Sequence, residues 1–171
     1  MKVLGVDPGT LVVGFGVIEG TTRLGRPARL LECGVVRMRP SDGLPRKLAA
    51  IHAGVGELLD RHRPDVVAVE GVFFGRNART TVVLGHARGV ILLAAEEAGV
   101  PVTEYAPRLV KKTVVGEGGA LKQQVGYMVA RLLKLESPPH PADAADAVAI
   151  ALTHLLAPAG GYALPRNGLY R

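Results

Sequence analysis

The first ten residues, MKVLGVDPGT (1–10), decide how the rest of the chain is read. Val3, Leu4 and Val6 form a short apolar run that predicts a buried strand. Asp7 stands where that strand ends, ahead of the turn formers Pro8 and Gly9. A carboxylate at the carboxyl edge of a sheet is costly unless water, a partner group or a cation meets it. Asp7 therefore either caps a turn or holds a metal. The choice depends on what else the fold brings to that edge.

Two further strand-like runs follow, VVGFGVIEG (12–20) and ARLLECGVVRM (28–38), with the loop GTTRLGRP (20–27) joining them. Three such strands in succession predict an antiparallel meander. Leu44, Leu48, Ile51, Val55 and Leu58 then recur at steps of four and three, the spacing of an amphipathic helix that RHRP (61–64) ends. DVVAVE (65–70) is a fourth strand, closing on Glu70. A strand, a helix and a strand in this order make a right-handed crossover with parallel strands.

After the loop GVFFGRN (71–77), a helix is predicted over roughly 78–98 and a fifth strand in VPVTEY (100–105). Helical stretches follow over roughly 107–114, 121–134 and 141–156. The fold class is α/β, with one domain over residues 1–157 and a Gly- and Pro-rich tail, 158–171, read as flexible.

With 171 residues, 48% of them hydrophobic, the chain is neither disordered nor fibrous. No apolar run reaches the length of a membrane span, and the start reads as a first strand rather than a signal peptide. Cys33 is the only cysteine, so an internal disulfide is excluded; it lies in an apolar run and reads as an inert thiol. A cytoplasmic location fits. Lys and Arg exceed Asp and Glu by 21 to 15, a net charge of +6 that favours polyanionic partners such as nucleic acid.

Side-chain alternation puts Asp7 on the same face as Val3 and Gly5, and Glu70 on the same face as Val66 and Ala68. If these strands are parallel neighbours, both carboxylates emerge at one carboxyl edge, where open α/β sheets bind ligands. In HPADAADAVAIAL (140–152), Asp143 and Asp146 are three apart on a predicted helix and share a side with Ala147, Ile150 and Ala151. The pair therefore is expected to face the sheet, although Asp143 also suits a helix N-terminus and Asp146 a solvated neighbour. Four converging carboxylates suit Mg²⁺ or Mn²⁺ rather than zinc. His52, His62, His86, His140 and His154 show no ligand-spaced pair and read as structural.

The motifs VLGVDPGT (3–10), VGFGVI (13–18), VVAVEGVFF (66–74) and PADAADAVAIALTH (141–154), in this order, resemble the RuvC family of Holliday-junction resolvases. The segments NARTTVVLGHARGVILLAA (77–95) and EYAPRLVKKTVVGEGGALKQQVGYMV (104–129) are similar to its intervening parts, so only the tail lies outside the resemblance. It implies an RNase H-like fold, a five-stranded mixed sheet flanked by helices on both faces. It also implies a homodimer that nicks opposed strands of a four-way DNA junction, and docking to the RuvAB branch-migration motor. The family's catalytic, metal-holding acids fall on Asp7, Glu70, Asp143 and Asp146; some relatives have His where this chain has Asp143.

Two divalent ions, Mg²⁺ with Mn²⁺ as a substitute, are then expected per site. Asp7 is expected to bridge them, with its carboxylate left exposed by the Pro8–Gly9 turn. Glu70 and Asp146 are expected to hold one ion each and Asp143 to complete the shell, leaving 3′-hydroxyl and 5′-phosphate ends. Phosphate contacts are expected from Arg76, Arg79, Lys111, Lys112 and Lys122, of which Lys111 and Lys122 match basic residues the family needs for cleavage. Any one of these is also compatible with a solvated surface charge. Phe73 and Phe74 are the only consecutive aromatics; a ring in that loop either stacks on an unpaired base or packs inward.

Three alternatives stay open. DPGT also resembles the phosphate loop of actin-like ATPases and sugar kinases, but those need a second lobe and a second glycine-rich loop, for which GEGGA (116–120) has no context. A non-catalytic binding module is disfavoured by the presence of all four acids. A nuclease acting on RNA-containing substrates would use the same chemistry.

Overall fold

The computed structural model describes residues 1–21, 28–71 and 78–157, with the side chains of Ala78 and Arg79 excepted. In chain order the elements are β1 (Lys2–Asp7), β2 (Val12–Glu19), β3 (Arg29–Arg37), α1 (Leu44–His62), β4 (Val66–Glu70), α2 (Ala78–Glu97), β5 (Val102–Tyr105), α3 (Pro107–Val115), α4 (Lys122–Leu133) and α5 (Ala142–Leu156). The strands form one sheet in the order β3-β2-β1-β4-β5. β1, β2 and β3 make the antiparallel meander, and β4 and β5 continue it in parallel with β1.

Alternation along the strands divides the interior into two layers. Leu4, Val6, Val67 and Val69 pack with Ile51, Val55 and Leu58 of α1 and Ile91 and Ala95 of α2. Val3, Val66 and Ala68 face the other way, against α3, α4 and α5. Helices therefore cover both faces of a five-stranded mixed sheet, as the RNase H-like resemblance implies. Asp7 and Glu70 stand in register with the second set of positions, so both open toward the α3–α5 side.

The helix expected from Leu44 to Leu58 is α1. Pro45 presets its first turn, Arg63 takes the left-handed conformation at its end (φ 45°), and Pro64 blocks continuation. Across the sheet, α5 is buried along most of its length and rests directly on β1 and β2. Glycine permits that approach. A Cβ at Gly5 would lie 2.1 Å from the Ala147 carbonyl oxygen, and one at Gly14 would lie 2.0 Å from the carbonyl oxygen of Asp143. Any side chain at either position would lift the helix off the strands. Buried Ala144, Ala147 and Ala151 present the matching small surface from the helix.

Three of the histidines singled out in the sequence, His52, His62 and His154, have structural partners. His52 Nε2 lies 2.8 Å from Glu97 and His62 Nε2 2.5 Å from Glu32. The Tyr105 hydroxyl lies 2.8 Å from His154 Nδ1; burial pushes the tyrosine's pKa up and the histidine's down. Cys33 is half-buried on β3, and burial with neighbouring Glu32 raises its thiol pKa, the opposite of an activated nucleophile. Among the described residues no helix is long and apolar enough to cross a membrane.

Candidate active site

Parallel pairing of β1 and β4 aligns Val6 with Val69, so the next residues of the two strands, Asp7 and Glu70, stand side by side at the carboxyl edge. On the other side of β1, Asp7 pairs with Gly14, the residue on which the backbone of Asp143 rests. The glycine contact that seats α5 therefore also brings its first turn to Asp7. One turn along, Asp146 reaches a cavity of about 280 Å³ that Asp7 and Glu70 also line. Lys111 of α3 and Lys122 at the start of α4 complete its polar wall. Pro107, Val110, Val125, Ala149 and Ile150 supply the apolar wall.

The electrostatics of this edge are those of crowded negative charge. The pKa of Asp7 is raised from 3.8 to about 7, first by burial, then by Glu70, Asp146 and Asp143, with Lys122 opposing. Burial and Asp146 also raise Glu70, while Lys122 and Lys111 pull it down. The Lys122 ammonium donates a hydrogen bond of 2.7 Å to Asp146 Oδ2; that bond, with the negative charge of Asp7 and Asp143, raises the lysine's pKa.

One expectation needs correction. The Pro8–Gly9 turn leaves the Asp7 carboxylate only partly exposed, because α5 is seated on Gly5 and Gly14 over that end of β1. Burial is accordingly the largest cause of its raised pKa. Asp143 and Asp146 are placed differently with respect to the cavity. Asp146 lines the cavity, whereas Asp143 stands beside it and affects Asp7 only through its charge.

Among the basic candidates, Lys111 and Lys122 reach the cavity. Lys112 is exposed with Arg108 on another side of α3. Helical spacing explains the split, since Pro107, Val110 and Lys111 share one face and Arg108 and Lys112 the next. The same spacing is the signal by which Pro107 and Val110 were findable from sequence. Phe73, Phe74 and Arg76 lie outside the described residues; Arg79 is in the first turn of α2, with its side chain outside them.

The donor set is oxygen-only and partly buried, with an excess of negative charge, as a hard divalent cation requires. Among the described residues, no three acidic, histidine or cysteine side chains converge into a closed metal-ligating group. The carboxylates share a cavity, and the cation in contact with one of them is Lys122.

Residues 3–154 match the family model described as "Crossover junction endodeoxyribonuclease RuvC". The chain is 48% identical over 153 residues to the crossover junction endodeoxyribonuclease RuvC of Halorhodospira halophila, covering 90% of this chain and 89% of that protein. It is 51% identical over 155 residues to the RuvC of a Parafrankia species, covering 91% and 86%. Among solved structures, Thermus thermophilus RuvC superposes with a TM-score of 0.83 at 44% identity, covering 91% of this chain and 94% of that one. The same protein in complex with a Holliday junction substrate also gives 0.83, at 41% identity and the same coverage. The yeast mitochondrial Holliday junction resolvase shares the fold at 14% identity, with a TM-score of 0.63 over 90% of this chain and 77% of that one. With the fold and nearly the whole length in agreement, the chain belongs to the RuvC family of crossover junction endodeoxyribonucleases.

Proposed function

We propose that this crossover junction endodeoxyribonuclease nicks four-way DNA junctions with Asp7, Glu70 and Asp146 as metal-holding carboxylates and Asp143 beside them. The observation that carries the proposal is the convergence of Asp7, Glu70, Asp146, Lys111 and Lys122 on one cavity at the carboxyl edge of the sheet. The family is one of metal-dependent nucleases. Two Mg²⁺ ions per site, replaceable by Mn²⁺, fit four oxygen donors. When bound, such ions activate water for attack on phosphorus and neutralise charge on the leaving 3′ oxygen.

The protein's own part is to hold, orient and exclude. Asp7 and Glu70 are fixed by adjacent strands, so their separation is set by the sheet rather than by flexible loops. The Lys111 and Lys122 ammonium groups line the same cavity as the strand acids, where they would counter the charge of a scissile phosphate as it grows. The apolar wall limits water and strengthens these interactions. The expected product is a nick with 3′-hydroxyl and 5′-phosphate ends.

Cavity geometry separates the two adjacent lysines. Lys111→Ala is expected to lower the single-turnover nicking rate by about 10²-fold with junction affinity changed less than about threefold. Lys112→Ala should do the reverse, weakening binding slightly and reducing its salt dependence while leaving the rate intact. Equal rate losses in both variants would count against a role for the cavity.

A proton and a cation compete for Asp7. At limiting Mg²⁺, cleavage is expected to fall as the pH drops through about 7, and more Mg²⁺ should move that midpoint lower. Initial nicking rates between about pH 5.5 and 8.5 at two Mg²⁺ concentrations measure this. A midpoint indifferent to Mg²⁺ would count against Asp7 as a metal ligand.

Nicks in opposed strands require two sites, and α2 is the surface proposed for a homodimer. Val82 and Leu93 are 58% and 52% exposed there. Gly85 and Gly89, on the same side of the helix, have open space where a Cβ would stand. Ala87, between those glycines, is instead buried against the core. An apolar, small-residue stripe of this kind suits close approach of its own symmetry copy. Gly89→Glu with Leu93→Lys should convert dimer to monomer in sedimentation; a dimer that survives both changes would assign the interface elsewhere. The loop residues Phe73 and Phe74 are proposed to meet bases at the junction centre, with Arg76 and Arg79 on phosphates. RuvAB is carried as the partner the family implies.

A further inference from the structure

We infer that Lys122 is a built-in cation surrogate: its ammonium occupies Asp146 until a divalent ion displaces it, and the displaced lysine is then free to meet the phosphate. The inference rests on the proposal that Asp146 is a metal-holding carboxylate.

The contact is direct, 2.7 Å from Nζ to Oδ2, and it joins unlike partners. The Asp146 side chain is 21% exposed and fixed on α5, whereas that of Lys122 is 72% exposed and reaches in from outside. The lysine is therefore the member free to leave. Its base is firmly placed, because Lys122 is the first residue of α4 and the Leu121 N–H donates to the Gln124 side-chain oxygen at 2.7 Å to fix that helix start. An ammonium is a point charge with three rotatable donors and no preferred plane, so it serves a carboxylate oxygen and a phosphate oxygen equally well.

A divalent ion and this ammonium seek the same oxygen, and like charges cannot share it closely. Metal binding must then break the pair, and its observed affinity includes that cost. Solvent around the lysine keeps the cost moderate. The consequence is an order of events. Lys122 leaves Asp146 as the ion arrives, so its charge becomes available to DNA when the site is loaded. Metal and phosphate then favour one another's binding, as reciprocal coupling demands.

Titration of Mn²⁺ alone into the full-length protein, read by the electron paramagnetic resonance signal of free Mn²⁺, tests this without any cleavage assay. Lys122→Gln is expected to bind Mn²⁺ about fivefold tighter than wild type. Lys112→Gln, which removes an equal charge from the exposed side of α3, is expected to stay within about twofold. Equal or weaker binding by Lys122→Gln, or an equal gain in Lys112→Gln, would overturn the surrogate role. Asp146→Asn distinguishes the underlying proposal: reduced Mn²⁺ affinity in that variant upholds Asp146 as a ligand whatever Lys122→Gln does. Unchanged affinity in Asp146→Asn would remove both.

Discussion

Asp7→Asn will lower the rate of junction nicking by roughly 10³-fold or more, with junction binding retained, and will make the metal-free protein more stable above pH 7. The rate falls because an amide cannot replace the charge that joins the strand edge to a cation. The stability rises because the native fold buries the Asp7 carboxylate and, secondarily, holds it among like charges. Below the unfolded value of 3.8 the carboxyl is protonated in both states, and wild type and variant differ little on this score. Between 3.8 and about 7 the unfolded chain ionises while the native one keeps its proton, so wild-type stability declines as pH rises. Above about 7 the full penalty applies, no more than about 4 kcal/mol. Thermal melts of both proteins in chelator from about pH 4 to 8 should therefore diverge upward and then run parallel. A variant less stable than wild type at pH 8 would mean that Asp7 has a stabilising partner rather than a place in an acidic cluster.

The second large effect needs no charge at all. Gly5→Ala puts a Cβ 2.1 Å from a backbone oxygen of α5, which no rotamer change relieves. The helix must move or the strand must bend, at about 3 kcal/mol or more. Because Asp143 and Asp146 ride on that helix, nicking should fall further than the folded fraction accounts for, when measured well below the melting temperature. Gly56, on α1, has nothing within 4 Å of a built Cβ. Gly56→Ala is expected to stabilise the protein by about 0.5–1 kcal/mol, the ordinary helical preference for alanine, with activity unchanged. Chemical denaturation of the two variants separates close packing from backbone flexibility. Similar signs in both would contradict the seating of α5 by Gly5.

The strand pattern was open to reading because alternation and periodicity are local. Val3, Leu4 and Val6 running into Asp7, and Val66 to Val69 running into Glu70, announce two strands with acids at the same end. The steps from Leu44 to Leu58 announce the helix that makes those strands parallel. Distances between elements were less accessible. Nothing in VVGFGVIE says that Gly14 carries Asp143 on its back; in a strand, a glycine reads as a weakness until the helix above it is known. For the same reason the partial burial of Asp7 is not legible in the sequence, since it depends on that helix. Which of Asp143 and Asp146 lines the cavity depends on how far α5 is rotated, which a three-residue spacing leaves open. Lys122 was marked as basic and near the site, but its bond to Asp146 joins residues 24 apart across two helices. The helical spacing that points Lys111 inward and Lys112 outward was present in the sequence and went unused.

Paired nicking on defined substrates tests the whole reading most directly. A synthetic four-way junction, a linear duplex of the same sequence and an RNA–DNA hybrid would be incubated with Mg²⁺, with Mn²⁺ and with chelator, and each strand's ends mapped. Nicks at symmetric positions in two opposed strands of the junction, sealable by ligase, absent from the other substrates and abolished by chelator, are the result expected. Comparable cutting of the linear duplex or the hybrid, or cutting that survives chelation, would contradict it.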